Sequence, residues 1–285
     1  MAVTQDGLMA LKAMGKEFSY TDNDSMLYAL SIGMGADPMN RQELAFCYEK
    51  DLKVAPSMAT VVAFDDRLFL TCGIDVFKVV HGEQRLTMHK PLPAAGTVIS
   101  DARVIDAFDK GEGRGALIVL ETVLTDKATG DKLCTMESVV FARGDGGYGG
   151  PAGAPAPLPK TPMRPADAVV EFQTLPQQAL FYRLCGDRNP LHADPDFAAA
   201  GGFERPILHG LCTWGHACHA VLRSACDYEP ERMESFAARF SAPVFPGEKL
   251  QVHVWDEDEG VHFMATVPER DTVVLSNGFA EVSGR

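Results

Sequence analysis

One short stretch of the sequence concentrates residues that could carry out acid–base chemistry on water. Asp187, Asn189 and His192 fall within six residues of chain, in a loop bracketed by Gly186 and Pro190. An aspartate and a histidine can hold one water molecule between a base and an acid near neutral pH. An asparagine can hydrogen-bond the same water without titrating. The spacing therefore predicts a water-activating site, although the same residue types form ordinary turns, and spacing alone leaves that interpretation open.

A second segment could supply a main-chain donor. Residues 206–214, PILHGLCTW, lead into a largely apolar stretch that predicts a helix to about Cys226. Gly210 would lie near the start of this helix, where amides are unpaired and lie at the positive end of the helix dipole. Such an amide could polarise a thioester carbonyl and stabilise the enolate oxygen that forms. The alternative is that Gly210 only provides backbone freedom between a loop and a buried helix.

The same region also contains five side chains of types that bind metals: His209, Cys212, His216, Cys218 and His219. Cys212 and His216 are four residues apart and could share a helix face. A second ligand cluster at a zinc-like spacing is missing from the sequence, so a packed helix is the preferred interpretation. We expect no metal and no redox cofactor.

The chain is divided by a segment rich in glycine, proline and alanine. Residues 144–165, GDGGYGGPAGAPAPLPKTPMRP, carry no helical or strand period and predict a linker between residues 1–143 and residues 166–285. Similar segments recur in the two halves, at residues 28–31 and 182–185, and at residues 86–96 and 239–247. This recurrence indicates an internal duplication.

Alternating apolar and polar residues predict three strands in each half: residues 97–108, 116–126, 132–142, 249–257, 261–268 and 272–282. Residues 256–260, DEDEG, predict a hairpin turn. Residues 25–34 predict a helix before the strands of the first half, and Asp194-Pro195 predicts a helix N-terminus before residues 196–200. Strands that cluster after a helix predict an α+β fold, in which an antiparallel sheet wraps around a helix.

Composition argues against several classes of protein. The 285 residues carry a formal net charge of −13 without a Lys/Arg cluster, which argues against a nucleic-acid partner. No stretch approaches the roughly 18 consecutive apolar residues of a membrane span, and the first residues do not resemble a secretory signal. Seven cysteines without a CxxC pair indicate reduced thiols. We therefore expect a cytoplasmic protein with no membrane partner.

Two motifs resemble those of a known enzyme family. Residues 182–195, YRLCGDRNPLHADP, followed by residues 202–214, GFERPILHGLCTW, closely resemble the hydratase 2 motif of (R)-specific enoyl-CoA hydratases, in the MaoC-like dehydratase group. Further segments follow in family order along nearly the full length, at residues 80–84, 90–93, 146–150 and 238–247. The resemblance implies two hot-dog domains in one chain, with an antiparallel sheet wrapped around a central helix in each. The chain is similar to the hydratase 2 part of the peroxisomal multifunctional enzyme of fatty-acid β-oxidation.

The resemblance also implies roles for individual residues. Asp187 and His192 match the catalytic pair. Asn189 matches the residue that helps to hold the water, and the N–H of Gly210 matches the oxyanion donor. A larger set is assigned to substrate binding: His81, Gly82, Lys110, Arg188, Pro190, Leu191 and Phe240. One departure from the family is Cys185, where serine is usual.

The N-terminal hot dog of such enzymes has lost the catalytic loop and makes room for a bulky acyl tail. This sequence agrees, since residues 28–35, YALSIGMG, contain no Asp/His pair. Residues 22–62 are expected to line the tail pocket, but the sequence does not indicate the length or kind of acyl chain.

The implied activity is the reversible hydration of trans-2-enoyl-CoA to (3R)-3-hydroxyacyl-CoA by a homodimer, with CoA as part of the substrate. One residue of the Asp187/His192 pair would act as the base and the other would return the proton, and the sequence does not assign the order. Three alternatives stay open: a dehydratase of acyl-carrier-protein or polyketide thioesters, a non-catalytic acyl-CoA-binding protein, and a thioesterase.

Overall fold

In the part of the chain that the structure describes, ten antiparallel strands form one sheet that runs through both halves. The computed structural model describes residues 3–65 and 67–284. The strands are β1 (Lys12–Tyr20), β2 (Val79–Met88), β3 (Gly96–Asp109), β4 (Ala116–Asp126), β5 (Lys132–Ala142), β6 (Ala168–Gln173), β7 (Met233–Phe240), β8 (Lys249–Glu257), β9 (Gly260–Val267) and β10 (Thr272–Val282). Their order across the sheet is β1-β3-β4-β5-β2-β7-β10-β9-β8-β6. Each half therefore contributes five consecutive strands, and β2 pairs with β7 where the halves meet.

The described helices are α1 (Gln5–Met9), α2 (Asp22–Ser31), α3 (Arg41–Leu44), α4 (Ala59–Val62), α5 (Gln178–Tyr182), α6 (Pro195–Ala200) and α7 (Gly210–Ala225). The predicted cap of α6 is confirmed, since the Asp194 carboxylate accepts hydrogen bonds from the amides of Asp196 and Phe197. Helix α2 begins three residues before the predicted start, because the amide of Thr21 donates to the carboxylate of Asp24 and caps the first turn.

Helix α7 is the central helix of the C-terminal half. Every residue from Leu211 to Leu222 is buried. The helix packs against all five strands of its half, β6 to β10. A helix that is enclosed on all sides must be apolar around most of its circumference. This arrangement confirms the predicted helix and the α+β hot-dog architecture, in which the sheet wraps around α7.

The N-terminal half differs from the C-terminal half in its helices. Between α2 and β2, the described residues form only short helical pieces, namely α3, α4 and 3₁₀ turns at Pro56–Met58, Arg67–Thr71 and Val76–Lys78. Pro56 cannot continue a preceding helix. The β-branched side chains at 60–62 lose rotamer freedom in a helix, which disfavours a longer one here. Buried apolar residues such as Met58 and Val61 still fill this part of the core. Of the central helix expected in each half, one continuous helix, α7, is present in the C-terminal half, and shorter helices take its place in the N-terminal half.

The strand predictions agree closely with the sheet. Residues 116–126, 132–142, 249–257 and 272–282 are the strands β4, β5, β8 and β10. The other two predicted strands match β3 and β9 to within one residue at each end. Strands β1, β2, β6 and β7 were not predicted, since their alternation is shorter or interrupted. Among the described residues, no helix has the length and apolarity needed to cross a membrane.

The segment between β5 and β6 lies along the sheet. It contains no helix or strand, and several of its polar groups bond to the strands. The carboxylate of Asp109 accepts from the amides of Gly147 and Gly149, and Asn277 donates to the carbonyl of Pro159. Because the sheet is continuous across this segment, the domain boundaries at residues 143 and 166 stay a prediction.

The contact between the halves predicts a sensitive position on α7. A Cβ atom added at Gly215 would lie 2.5 Å from Cγ2 of the buried Ile32 and 3.0 Å from the hydroxyl oxygen of Tyr28. Overpacking of this kind costs roughly 1–3 kcal/mol. We expect Gly215→Val to lower the free energy of unfolding by about that amount in chemical denaturation.

The matched control is Gly96→Val. At Gly96 the nearest atom to an added Cβ is Cγ of Pro93, at 3.7 Å, which is an ordinary contact. This variant should change the free energy of unfolding by less than about 1 kcal/mol. Equal stability of the two variants would show that α7 and the N-terminal half are not closely packed.

Candidate active site

The loop that carries the predicted chemistry passes directly over the N-terminal half. Gly186 has φ +149°, and a Cβ atom added there would lie 2.9 Å from the carbonyl oxygen of Val61 in α4. A side chain at this position would collide with main chain, which cannot move aside cheaply. Glycine therefore lets the loop after α5 approach α4, and the site lies where the two halves meet.

Local hydrogen bonds fix the shape of this loop. The carboxylate of Asp187 accepts from the amide of Asn189 at 3.0 Å. The side-chain oxygen of Asn189 accepts from the amide of Leu191, also at 3.0 Å, and caps the 3₁₀ turn Pro190–His192. Because its oxygen is used in this way, Asn189 can reach a water molecule with its NH₂ group, which is a donor. The loop thus turns Asp187 and His192 inward, where they are 9% and 8% exposed.

The tautomer of His192 follows from its hydrogen bond. Nδ1 lies 2.8 Å from the carbonyl oxygen of Ile207. A carbonyl can only accept, so Nδ1 carries the hydrogen and, in the neutral ring, Nε2 carries the lone pair. Burial lowers the pKa of His192 below its usual 6.5, while the charge of Asp187 acts in the opposite direction. His192 is therefore a neutral base at pH 7.

The structure brings the predicted pair together and adds a third residue. A carboxylate oxygen of Asp187, a ring nitrogen of His192 and a ring nitrogen of His209 all lie within 4.8 Å of one another. One water molecule can bridge a carboxylate and an imidazole at such a separation, because each hydrogen bond spans about 2.7–3.0 Å. The arrangement can therefore bind and deprotonate a water molecule.

The same three residues form a possible ligand set for a divalent transition metal. The rings of His192 and His209 are stacked, with centroids 3.7 Å apart and an interplanar angle of 26°. Stacked rings direct their in-plane lone pairs side by side rather than toward one point, which does not favour a shared ion. The expectation of a site without metal stays a prediction.

The sequence indicates His209 only as one of five side chains of metal-binding types. The structure places it between the other site residues, since its Nε2 donates to the main-chain carbonyl of Asp187 at 3.1 Å. Burial, and then the neighbouring His192, lower the pKa of His209 to about 2. The one sequence signal that could have identified it was its position directly before Gly210.

Gly210 is the first residue of α7, with His209 as its N-cap. Its amide has no acceptor within the helix, as is usual in the first turn. A Cβ atom added at Gly210 would lie 3.1 Å from the ring of Phe240, so glycine allows this ring to approach the helix N-terminus. The Phe240 ring in turn contacts His81, with centroids 4.7 Å apart. Burial lowers the pKa of His81 to about 4, so it is neutral at pH 7.

The remaining residues assigned to substrate binding lie in β2, in the catalytic loop and in the turn between β3 and β4. Gly82 forms a bulge in β2, next to His81. Arg188 and Pro190 line an open cleft of about 370 Å³ together with Asn189, and Leu191 is half-buried beside them. Lys110 is exposed in the turn between β3 and β4, where its amide donates to Gly115. No contact described in this structure joins Lys110 to the cluster.

The other histidines of α7 bond to main-chain carbonyls. Cys212 and His216 do share a helix face, but Nδ1 of His216 donates to the carbonyl of Cys212 at 2.9 Å. Nδ1 of His219 donates to the carbonyl of Ile32, which ties α7 to the N-terminal half. Cys185 lies 3.6 Å from the hydroxyl of Ser31, also across the two halves. Among the described residues, Asp187, His192 and His209 are the one group with the spacing of metal ligands.

Comparison with known families assigns both halves of the chain. Residues 18–144 match the MFE-2 hydratase 2 N-terminal domain, and residues 157–277 match the MaoC like domain. The chain belongs to the MaoC-like dehydratase family, in the form that pairs these two domains.

Relatives of known name are similar over nearly the whole chain. The enoyl-CoA hydratase ChsH3 of Mycobacterium tuberculosis is 40% identical and covers 98% of both chains. The peroxisomal enoyl-CoA hydratase 2 of Arabidopsis thaliana is 36% identical over 98% of this chain and 95% of its own. A crystal structure of a MaoC-like dehydratase from Phytophthora capsici superposes with a TM-score of 0.86 at 31% identity, covering 99% of this chain and 98% of its own.

The burial of His192 predicts its titration. Because burial disfavours the cation, the folded-state pKa lies below 6.5, and the ring stays neutral until the pH falls below that value. We expect the His192 signals in ¹⁵N–¹H spectra of histidine-labelled protein to titrate below pH 6.5, with the hydrogen on Nδ1. The spectrum of His192→Asn assigns these signals by their loss. A midpoint above pH 6.5 would contradict the neutral base.

Proposed function

We propose that this chain catalyses the reversible hydration of trans-2-enoyl-CoA to (3R)-3-hydroxyacyl-CoA. The observation that carries the proposal is the buried pair of Asp187 and His192, whose side-chain ligand atoms lie within 4.8 Å of each other. The pair lies beside the N-terminus of α7, since His209 contacts both of its residues and directly precedes Gly210. The family and the relatives named as enoyl-CoA hydratases support the same reaction.

The hydrogen-bonding capacity of the site matches that of one water molecule. The water donates one hydrogen to the carboxylate of Asp187 and the other to Nε2 of His192. The NH₂ group of Asn189 donates to one lone pair of the water oxygen. The second lone pair is then directed at the substrate, which is the requirement for nucleophilic attack.

The amide of Gly210 activates the other reactant. It donates to the thioester carbonyl, which withdraws electrons from the conjugated double bond and makes C3 electrophilic. When the water attacks C3, negative charge moves to the carbonyl oxygen. The amide is unpaired and lies at the positive end of the α7 dipole, so it stabilises this enolate without rearrangement.

The resemblance implied that Asp187 and His192 divide the two proton transfers, but in the proposed mechanism His192 carries out both. Its neutral Nε2 accepts a proton from the attacking water as the bond between oxygen and C3 forms. The negative charge of Asp187 stabilises the resulting imidazolium, in line with its effect on the pKa of His192. The imidazolium then returns the proton to C2 of the enolate, from the same side. The double bond is lost, one O–H of water is broken, and C3–O and C2–H bonds are formed.

The CoA ester extends from this centre along the residues assigned to substrate binding. Phe240 lies next to Gly210, where the thioester is placed, and the ring of His81 contacts Phe240. The cleft at Arg188 and Pro190 opens onto Asn189 and contributes a cation for an anionic substrate. Residues 22–62 are proposed to accommodate the acyl tail.

Three further properties stay proposals of the same kind. The reaction as written needs no metal or redox cofactor. A homodimer is expected, and sedimentation analysis tests it. A cytoplasmic location is also expected, although the Arabidopsis relative is named as peroxisomal. Cell fractionation decides between these locations.

Loss of either catalytic side chain should nearly abolish turnover. Asp187→Ala and His192→Ala should each lower kcat for a medium-chain trans-2-enoyl-CoA by roughly 10²–10⁴-fold, because each removes a partner of the water. The consumption of the conjugated thioester and chiral analysis of the 3-hydroxyacyl product are the measurements. Comparison with an enoyl-carrier-protein substrate separates the hydratase from a carrier-protein dehydratase.

The controls are Asp196→Ala and His89→Ala, which change exposed residues of the same types outside the site. Both should retain activity within about twofold of the unmodified protein. Folded His192→Ala protein with near-normal turnover would rule out the mechanism. Release of free thiol in place of hydration would indicate a thioesterase.

A further inference from the structure

His209 contacts each part of the proposed catalytic centre without a role in the chemistry. It is 1% exposed, its ring is stacked on His192, and its Nε2 donates to the carbonyl of Asp187. The ring also contacts Tyr182, with centroids 5.0 Å apart. It is also the N-cap of α7, directly before Gly210.

The protonation state of His209 is fixed by these contacts. The carbonyl of Asp187 can only accept, so Nε2 of His209 carries the hydrogen and Nδ1 carries the lone pair. Nδ1 is buried and has no hydrogen-bond partner among the residues that the structure describes, which is costly for a polar atom. A second positive charge stacked against the imidazolium of His192 would be strongly repelled. His209 therefore does not exchange protons during the reaction.

We propose that His209 is a positioning residue that fixes the distance between Asp187 and His192. Its N–H holds the main chain of the loop at Asp187, and its ring sets the plane of His192. Both contacts are made from the N-cap residue of α7, so the carboxylate, the imidazole and the Gly210 amide are held as one rigid unit. The role rests on the proposed hydration, because it concerns the geometry of that reaction.

Two substitutions separate the two contacts. His209→Gln keeps a side-chain donor that can reach the carbonyl of Asp187, but it removes the ring that supports His192. His209→Leu removes both the donor and the ring at similar volume. Displacement of a reacting group by about 1 Å can cost roughly 10²-fold in rate. Neither variant alters a residue assigned to contact CoA.

We expect His209→Gln to lower kcat by roughly tenfold and His209→Leu by roughly 100-fold, while KM stays within about threefold of the unmodified protein. The matched control is His216→Gln, which changes a buried histidine of the same helix that lies outside the site. It should leave kcat within about twofold. Steady-state kinetics of the three purified, folded variants give this comparison.

The proposal is overturned if both His209 variants fold and keep kcat within twofold, or if KM rises as much as kcat falls. A second measurement covers the case in which the variants do not fold. In ¹⁵N–¹H spectra of the unmodified protein, His209 should keep its hydrogen on Nε2 and stay neutral from pH 5 to pH 8. A His209 signal that titrates in this range overturns the proposal. Absence of hydratase activity in the unmodified protein would instead refute the proposed function and leave this spectroscopic test valid.

Discussion

The hydrogen bond from Nδ1 of His192 to the carbonyl of Ile207 is the interaction on which the proposed chemistry depends. It fixes the tautomer of a buried ring, so the nitrogen that remains basic is Nε2. Burial keeps this ring neutral, while the nearby carboxylate of Asp187 supports the cation when it forms. A neutral imidazole of this kind can accept a proton from water directly at neutral pH, without first being deprotonated by another group.

The fold supplies this arrangement by joining two halves of unequal roles. The C-terminal half contributes the catalytic loop and α7, which its strands enclose. The N-terminal half contributes the surface against which the loop lies, with Gly186 close to Val61, and the ring of His81 beside Phe240. Because β2 pairs with β7, the strands of the two halves form one continuous sheet. The proposed active site is thus a feature of both halves, although the proposed acid–base residues come from one.

Local features of the structure could be predicted from the sequence, and long-range features could not. The loop at 186–192 and the cap at Asp194 are defined by neighbouring residues, and the alternation of β8, β9 and β10 reflects one face packed on α7. The contact of His209 with Asp187 joins residues 22 positions apart, so no local pattern indicates it. The short helices of the N-terminal half were missed because the resemblance between the halves suggested a second central helix. Lys110 was assigned by resemblance alone, and the described structure leaves it outside the cluster.

The most direct test of the account is a crystal structure of the protein with a bound (3R)-3-hydroxyacyl-CoA. The account predicts that the C3 hydroxyl oxygen, which derives from the water, lies within about 3.2 Å of both the Asp187 carboxylate and Nε2 of His192. It also predicts that the thioester carbonyl accepts from the amide of Gly210. A product whose hydroxyl contacts neither side chain, or whose carbonyl points away from α7, would contradict the account.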